Sequence, residues 1–214
     1  MNTKKLIKKI LKKNFSESEI LFLNSLKTPQ KIQDYINSMP MRNDEHEPVV
    51  RSPRNAISKN EISCIEGSLL ACVILAYNGY ETYLLDLKVD EKNNIDCDHV
   101  VALFKKDNHY GAISKTTHAV LRYREPIYKS VRELAMSYFH EYFLDDGKKT
   151  LRSFSEEFPI FKKFGFDWII SQNDVYEIAC TLDDFKHQKI LTPKMQKNLR
   201  KAEKIEILAG KIKE

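Results

Sequence analysis

The sequence predicts an α+β fold: a core helix bearing a cysteine, packed on a small antiparallel sheet, with flanking N- and C-terminal helices. Three observations carry this. Residues 61–77 are apolar nearly all round at helical spacing, through Leu69, Leu70, Val73, Ile74 and Tyr77, which is the pattern of a helix buried on most sides. Three apolar runs follow, 83–89, 99–104 and 109–114. The turns between them are too short for parallel crossovers, so they form a meander. Only 6 glycines and 7 prolines occur in 214 residues, too few for a many-turned all-β protein.

The remaining elements follow from local chemistry. Residues 4–13 place Leu6, Ile7, Ile10 and Leu11 on one helical face between pairs of lysines. Ser16 is a suitable N-cap for a helix over 17–26. Thr28-Pro29 opens another over 29–38, since proline suits the first helical position. Residues 40–55 contain three prolines and read as an irregular connection. Asn78-Gly79 stops the core helix. Further helices are predicted over 130–143, 173–188 and 193–208. The chain is read as a single domain, 1–214. It comprises a basic helical segment 1–27, a core 28–155 and a C-terminal helical extension 156–214.

Hydrophobic residues make up 42% and charged residues 30% of the chain, which excludes a low-complexity or disordered protein. No apolar run reaches the roughly 20 residues of a membrane-spanning helix, and the start lacks the apolar block of a secretory signal. With four cysteines and no C-x-x-C pair, the expected setting is a reducing cytoplasm. The net charge of +5 is a terminal feature. Residues 1–13 hold six lysines and no acid, and removing those six leaves 29 bases against 30 acids. The body is therefore not a general nucleic-acid surface.

Cys64 stands where the core helix begins. Partial positive charge at a helix start favours a thiolate, the nucleophilic form of cysteine. Such a nucleophile needs a base, and His99, at the head of the second strand, is the candidate. A two-residue turn at 106–107 or 107–108 sets residue 99 opposite 114 or 116, and Ser114 and Thr116 then share its face. A three-residue loop brings Lys115 there instead. Cys72 and Cys180 read as small buried apolar side chains. Cys97 and His99, two apart on a strand, offer only two of the four ligands of a metal site. Glu66 reads as a carboxylate favoured by the helix start. Arg122, Arg124 and Arg132 read as partners of nearby acids such as Glu125 and Glu133. His118 reads as an exposed loop residue.

The segment Ser63-Cys64-Ile65-Glu66-Gly67-Ser68-Leu69-Leu70-Ala71 resembles the nucleophile helix of the transglutaminase-like branch of the papain-like cysteine hydrolases. Asp98-His99-Val100-Val101-Ala102-Leu103 resembles its histidine strand, and Tyr110-Gly111-Ala112-Ile113-Ser114 its third strand. Lys31-Ile32-Gln33-Asp34 and Leu121-Arg122-Tyr123-Arg124-Glu125-Pro126 are similar to segments of a bacterial group of these proteins without assigned activity. The resemblance spans roughly 28–155. It implies Cys64 as nucleophile, His99 as general base and Ser114 at the third position, where the family usually carries an aspartate. It implies thiol acyl chemistry on a peptide or amide substrate, hydrolysis more than cross-linking. The oxyanion would be held by the Cys64 N–H and a donor among Ser52, Asn55 and Asn60. No cofactor and no metal is expected. The alternatives are a catalytically inactive ligand- or protein-binding module on the same fold, and a nucleic-acid-associated protein acting through its basic ends.

Overall fold

The computed structural model describes residues 3–42, 49–89 and 98–210. The chain begins with three helices, α1 (Thr3–Asn14), α2 (Glu17–Ser25) and α3 (Pro29–Ser38). Ser16 caps α2 in a capping box with Glu19, and Thr28 caps α3 with Pro29 in its first turn. Ile7 and Leu11 of α1 are buried in the main core. Lys4 donates to Asn78 O, and Lys8 lies over the Tyr77 ring.

A short helix, α4 (Pro53–Lys59), occupies the end of the stretch expected to be irregular, capped by Ser52. The core helix α5 runs Cys64–Asn78. Ser63 and Glu66 form a capping box at its start, and Gly79, at φ 95°, ends it in the left-handed region. Every residue of α5 from Glu66 to Tyr77 is buried.

The sheet follows. β1 (Glu81–Lys88), β2 (His99–Lys106), β3 (His109–Ile113) and β4 (Arg124–Tyr128) are joined by the later short strands β5 (Ser153–Ser155) and β6 (His187–Lys189). The order is β4-β3-β2-β1-β5-β6, antiparallel throughout. The fold is thus α+β with a six-stranded open sheet, three strands more than the meander predicted. β2 and β3 join through Asp107-Asn108, both at positive φ (49° and 62°), as a two-residue hairpin turn that matches strand twist demands. The predicted turn at 91–94 lies outside the described residues.

Both faces of the sheet are covered. Val100, Ala102, Phe104 and Ile113 join the cluster around α5. Val101, Leu103 and Ala112 join a second cluster with Leu134, Ala135 and Tyr138 of α6 (Val131–Phe139). Burial on both faces explains the unbroken apolar run of β2.

The C-terminal part departs from expectation. After α7 (Ile160–Phe164), the predicted helix 173–188 is the shorter α8 (Tyr176–Asp183), followed by β6, which pairs Lys189 with Ser153 of β5. The predicted helix 193–208 is two pieces, α9 (Pro193–Lys197) and α10 (Lys204–Gly210). Between them Ala202 N donates to Gly147 O at 2.8 Å, and Lys201 pairs with Asp146. Docking on that turn breaks the helix. Cys180 is exposed, not buried. Ile178 and Leu182, four apart, form the inward stripe of α8, and residue 180 falls on the other side. No helix among the described residues is long and apolar enough to cross a membrane.

Candidate functional site

Cys64 is the first residue of α5 and is half-buried. His99 opens β2 and is 7% exposed. Both line one cleft of about 280 Å³, with Ser63, Asp98, Lys115 and His118 among its walls and Leu121 and Tyr142 as an apolar side.

Four contacts assemble this cleft. Ser68, one turn into α5, donates to Cys64 O at 3.0 Å and to Val100 O at 2.8 Å. One hydroxyl therefore ties the Cys64 turn to the residue after His99. The β2–β3 hairpin pairs Lys106 with His109, the two-residue case in which 114 and 116 share the face of 99. His99 Nε2 lies 2.6 Å from Ser114 Oγ. Gln33 of α3, 4% exposed, accepts from Ser114 N at 2.9 Å and donates to Ser114 O at 2.8 Å. It continues the ladder where β3 has ended and fixes Ser114. Finally, Gly67 lets the following residue come close to α5: a Cβ there would sit 2.9 Å from Lys115 Cβ. Ser114 and Lys115 thus pass directly over the first turn of the helix that carries Cys64.

Glu66 holds the helix start together. It is fully buried, with Oε2 accepting from Ser63 N at 2.9 Å and Oε1 from Arg51 N at 2.7 Å. Arg42 Nη2 approaches Oε1 at 3.2 Å. This is the helix-start carboxylate expected, with a buried ion pair added. Backbone pairing of residues 40 and 42 with Ile62 sets Arg42 beside the cleft.

Burial pushes the His99 imidazole down to about 4, and the charge of nearby His118 acts in the same direction. At neutral pH the ring is uncharged. His118 is half-buried in the cleft wall, not an exposed loop residue. Burial also pushes Asp98 up to about 6, although its Oδ1 accepts from Val89 N at 2.8 Å.

The three upstream oxyanion candidates are engaged elsewhere. Ser52 Oγ donates to Ser171 O, Asn55 Nδ2 donates to Ser171 O, and Asn60 is the left-handed cap of α4. None lines the cleft. Side-chain donors that do line it include Arg42, Lys115, Thr116, Thr117 and His118. Cys97 lies outside the described residues. Asp86, Asp98 and Asp183 each bring one oxygen to within 4.8 Å of the others. Lys88 pairs with Asp183 at 2.8 Å and His187 Nε2 lies 3.1 Å from Asp86 Oδ2, so two of the three carboxylates already have protein partners.

Gln33 and Ser68 carried a signal that the sequence reading missed. Gln33 sits in the apolar stripe of α3 beside Ile32 and Ile36, and Ser68 inside an otherwise apolar helix. Polar groups at such positions need partners, and here the partners are site backbone. No protein-family model and no curated protein matches the chain.

Proposed function

We propose that the chain is a transglutaminase-like thiol acyl-transfer protein, acting on a peptide or amide bond through Cys64, His99 and Ser114. The observation that carries this reading is the Ser114–His99 bond in a cleft that Cys64 also lines at the head of α5. With Nε2–H donating to Ser114 Oγ, the lone pair is on Nδ1, which is left to take the thiol proton. The helix start stabilises the thiolate that results. The thiolate attacks the amide carbonyl, and the imidazolium returns its proton to the leaving amine. Water then resolves the thioester. The oxyanion falls beside the first turn of α5, where backbone N–H groups and Lys115 or Arg42 are the nearby donors.

The absence of a carboxylate at position 114 sets the rate. A serine orients the ring without stabilising its charged form, and burial opposes that form further. Turnover is therefore slow relative to sites with an acidic third member. The same observation favours a second reading, a binding module on this fold in which the cleft holds a ligand without chemistry.

The two separate on acyl transfer from p-nitrophenyl acetate, followed by intact mass and peptide mapping. The first reading expects Cys64 to be acetylated with release of nitrophenolate, slower in His99→Gln and absent in Cys64→Ala. Acetylation spread over the exposed Cys180, with Cys64 unmodified, would leave only the binding module.

A further inference from the structure

A second cavity of about 540 Å³ adjoins the Cys64 cleft, and Met41, Lys115, Thr116 and Thr117 line both. Arg122 stands on its far wall. Every other arginine among the described residues has a partner: Arg42 with Glu66, Arg51 with Glu61, Arg54 with Glu19, Arg124 with Glu141, Arg200 with Glu203, and Arg132 and Arg152 with backbone carbonyls. Arg122 makes no ion pair or hydrogen bond through its guanidinium to a described residue, and its Nε is buried without an acceptor. The acids Glu125 and Glu133, expected to neutralise it, do not. Glu133 instead accepts from Lys129 N.

Lys115 adds a second positive group. Its ammonium is buried and donates to Ile36 O and Met39 O, which leaves one of its three donors. Among the described residues no acid lines this cavity, and Asp98 is the one acid lining the neighbouring cleft. A guanidinium with no partner among the described residues, lining the same open cavity as a buried lysine, matches a planar carboxylate. Among the described residues no aromatic side chain lines the cavity for a base to stack on, so single-stranded nucleic acid fits it poorly.

We propose that Arg122, supported by Lys115, binds a carboxylate of the substrate, so that the amide presented to Cys64 belongs to an acidic peptide. The substrate class rests on the acyl-transfer reading, but the carboxylate site does not. The test uses the full chain carrying Cys64→Ala. Binding of N-acetyl-Glu-Glu-amide and N-acetyl-Gln-Gln-amide is measured by calorimetry, with the Arg122 Nε–H followed by NMR. The acidic peptide is expected to bind at least about tenfold tighter, the gain of one charge-assisted contact, and to shift the Arg122 signal. Arg122→Gln is expected to abolish the preference and Arg122→Lys to retain part of it, with unchanged melting temperatures showing that both fold. Equal affinity, no binding of either peptide, or a preference that survives Arg122→Gln overturns the proposal. So does inorganic phosphate binding tighter than the acidic peptide. Acetylation of Cys64 in the native chain is scored separately, so loss of the nucleophile and loss of the carboxylate site give different results.

Discussion

Replacing His99 by glutamine removes a buried base, and the consequence is a change in how stability depends on pH. In the unfolded chain the imidazole titrates near 6.5, while in the fold burial holds it at about 4. Between those values the unfolded state binds the proton and the folded state does not, so acidification favours unfolding. Stability tied to His99 is fully present above pH 6.5 and falls as the pH drops toward 4. The whole interval corresponds to about 3 kcal/mol, of which about 2.5 kcal/mol is lost by pH 4.5. Other buried groups work the opposite way. Asp98, pushed up to about 6 by burial, and Asp86, raised by burial, take protons more readily in the fold. His187 loses basicity to burial but gains more from its bonds to Asp86 and Phe185 O, and is raised overall. These groups persist in the variant, so the difference between the two proteins isolates His99. Urea unfolding at pH 7.5 and 4.5 measures it. With a slope of about 2 kcal/mol per molar, the wild type is expected to lose about 1 M of midpoint relative to His99→Gln between those pH values. A difference that stays constant would refute a buried, neutral His99.

The other predictions concern the parts that hold the site. Glu66→Ala is expected to cost about 3 kcal/mol or more in urea unfolding, because Arg42 and two backbone N–H groups at the head of α5 lose their acceptor. Gly67→Ala is expected to cost about 1–3 kcal/mol and to slow Cys64 modification, since the added Cβ meets Lys115 Cβ at 2.9 Å; an unchanged melting curve would argue against that close approach. Ser114→Asp is expected to raise the His99 pKa and to speed Cys64 acetylation at pH 6–7, read by NMR titration and intact mass; an unshifted ring would show that position 114 does not touch it. Cys72 is expected to stay unlabelled while the fold persists, because burial pushes its thiol up to about 12.

What the sequence made legible was local. Asn78-Gly79, Thr28-Pro29 and Ser16 are capping chemistry that needs no knowledge of the rest of the chain, and the elements they bound stand where expected. The turn Asp107-Asn108 set the hairpin register, and that register brought Ser114 to His99. Tertiary contacts hid the rest. β5 and β6 have three residues each, too short to show a period, and they exist because β1 offers an edge. The break between α9 and α10 comes from Ala202 docking on the Gly147 turn. Cys180 stands beside apolar residues, yet only one stripe of α8, through Ile178 and Leu182, faces the core. The places of Cys64 at the head of α5 and His99 at the head of β2 were readable from the same local patterns. Gln33 and Ser68 required knowing which backbone lay across from them.

If Cys64 is a nucleophile served by His99, the rate of iodoacetamide modification at each cysteine against pH, resolved by peptide mapping, reveals it. Cys64 is expected to react faster than the exposed Cys180, with a midpoint below the roughly 8.5 of an ordinary thiol, and His99→Gln to slow it while leaving Cys180 unchanged. Modification of Cys64 no faster than Cys180, indifferent to His99, would contradict that role.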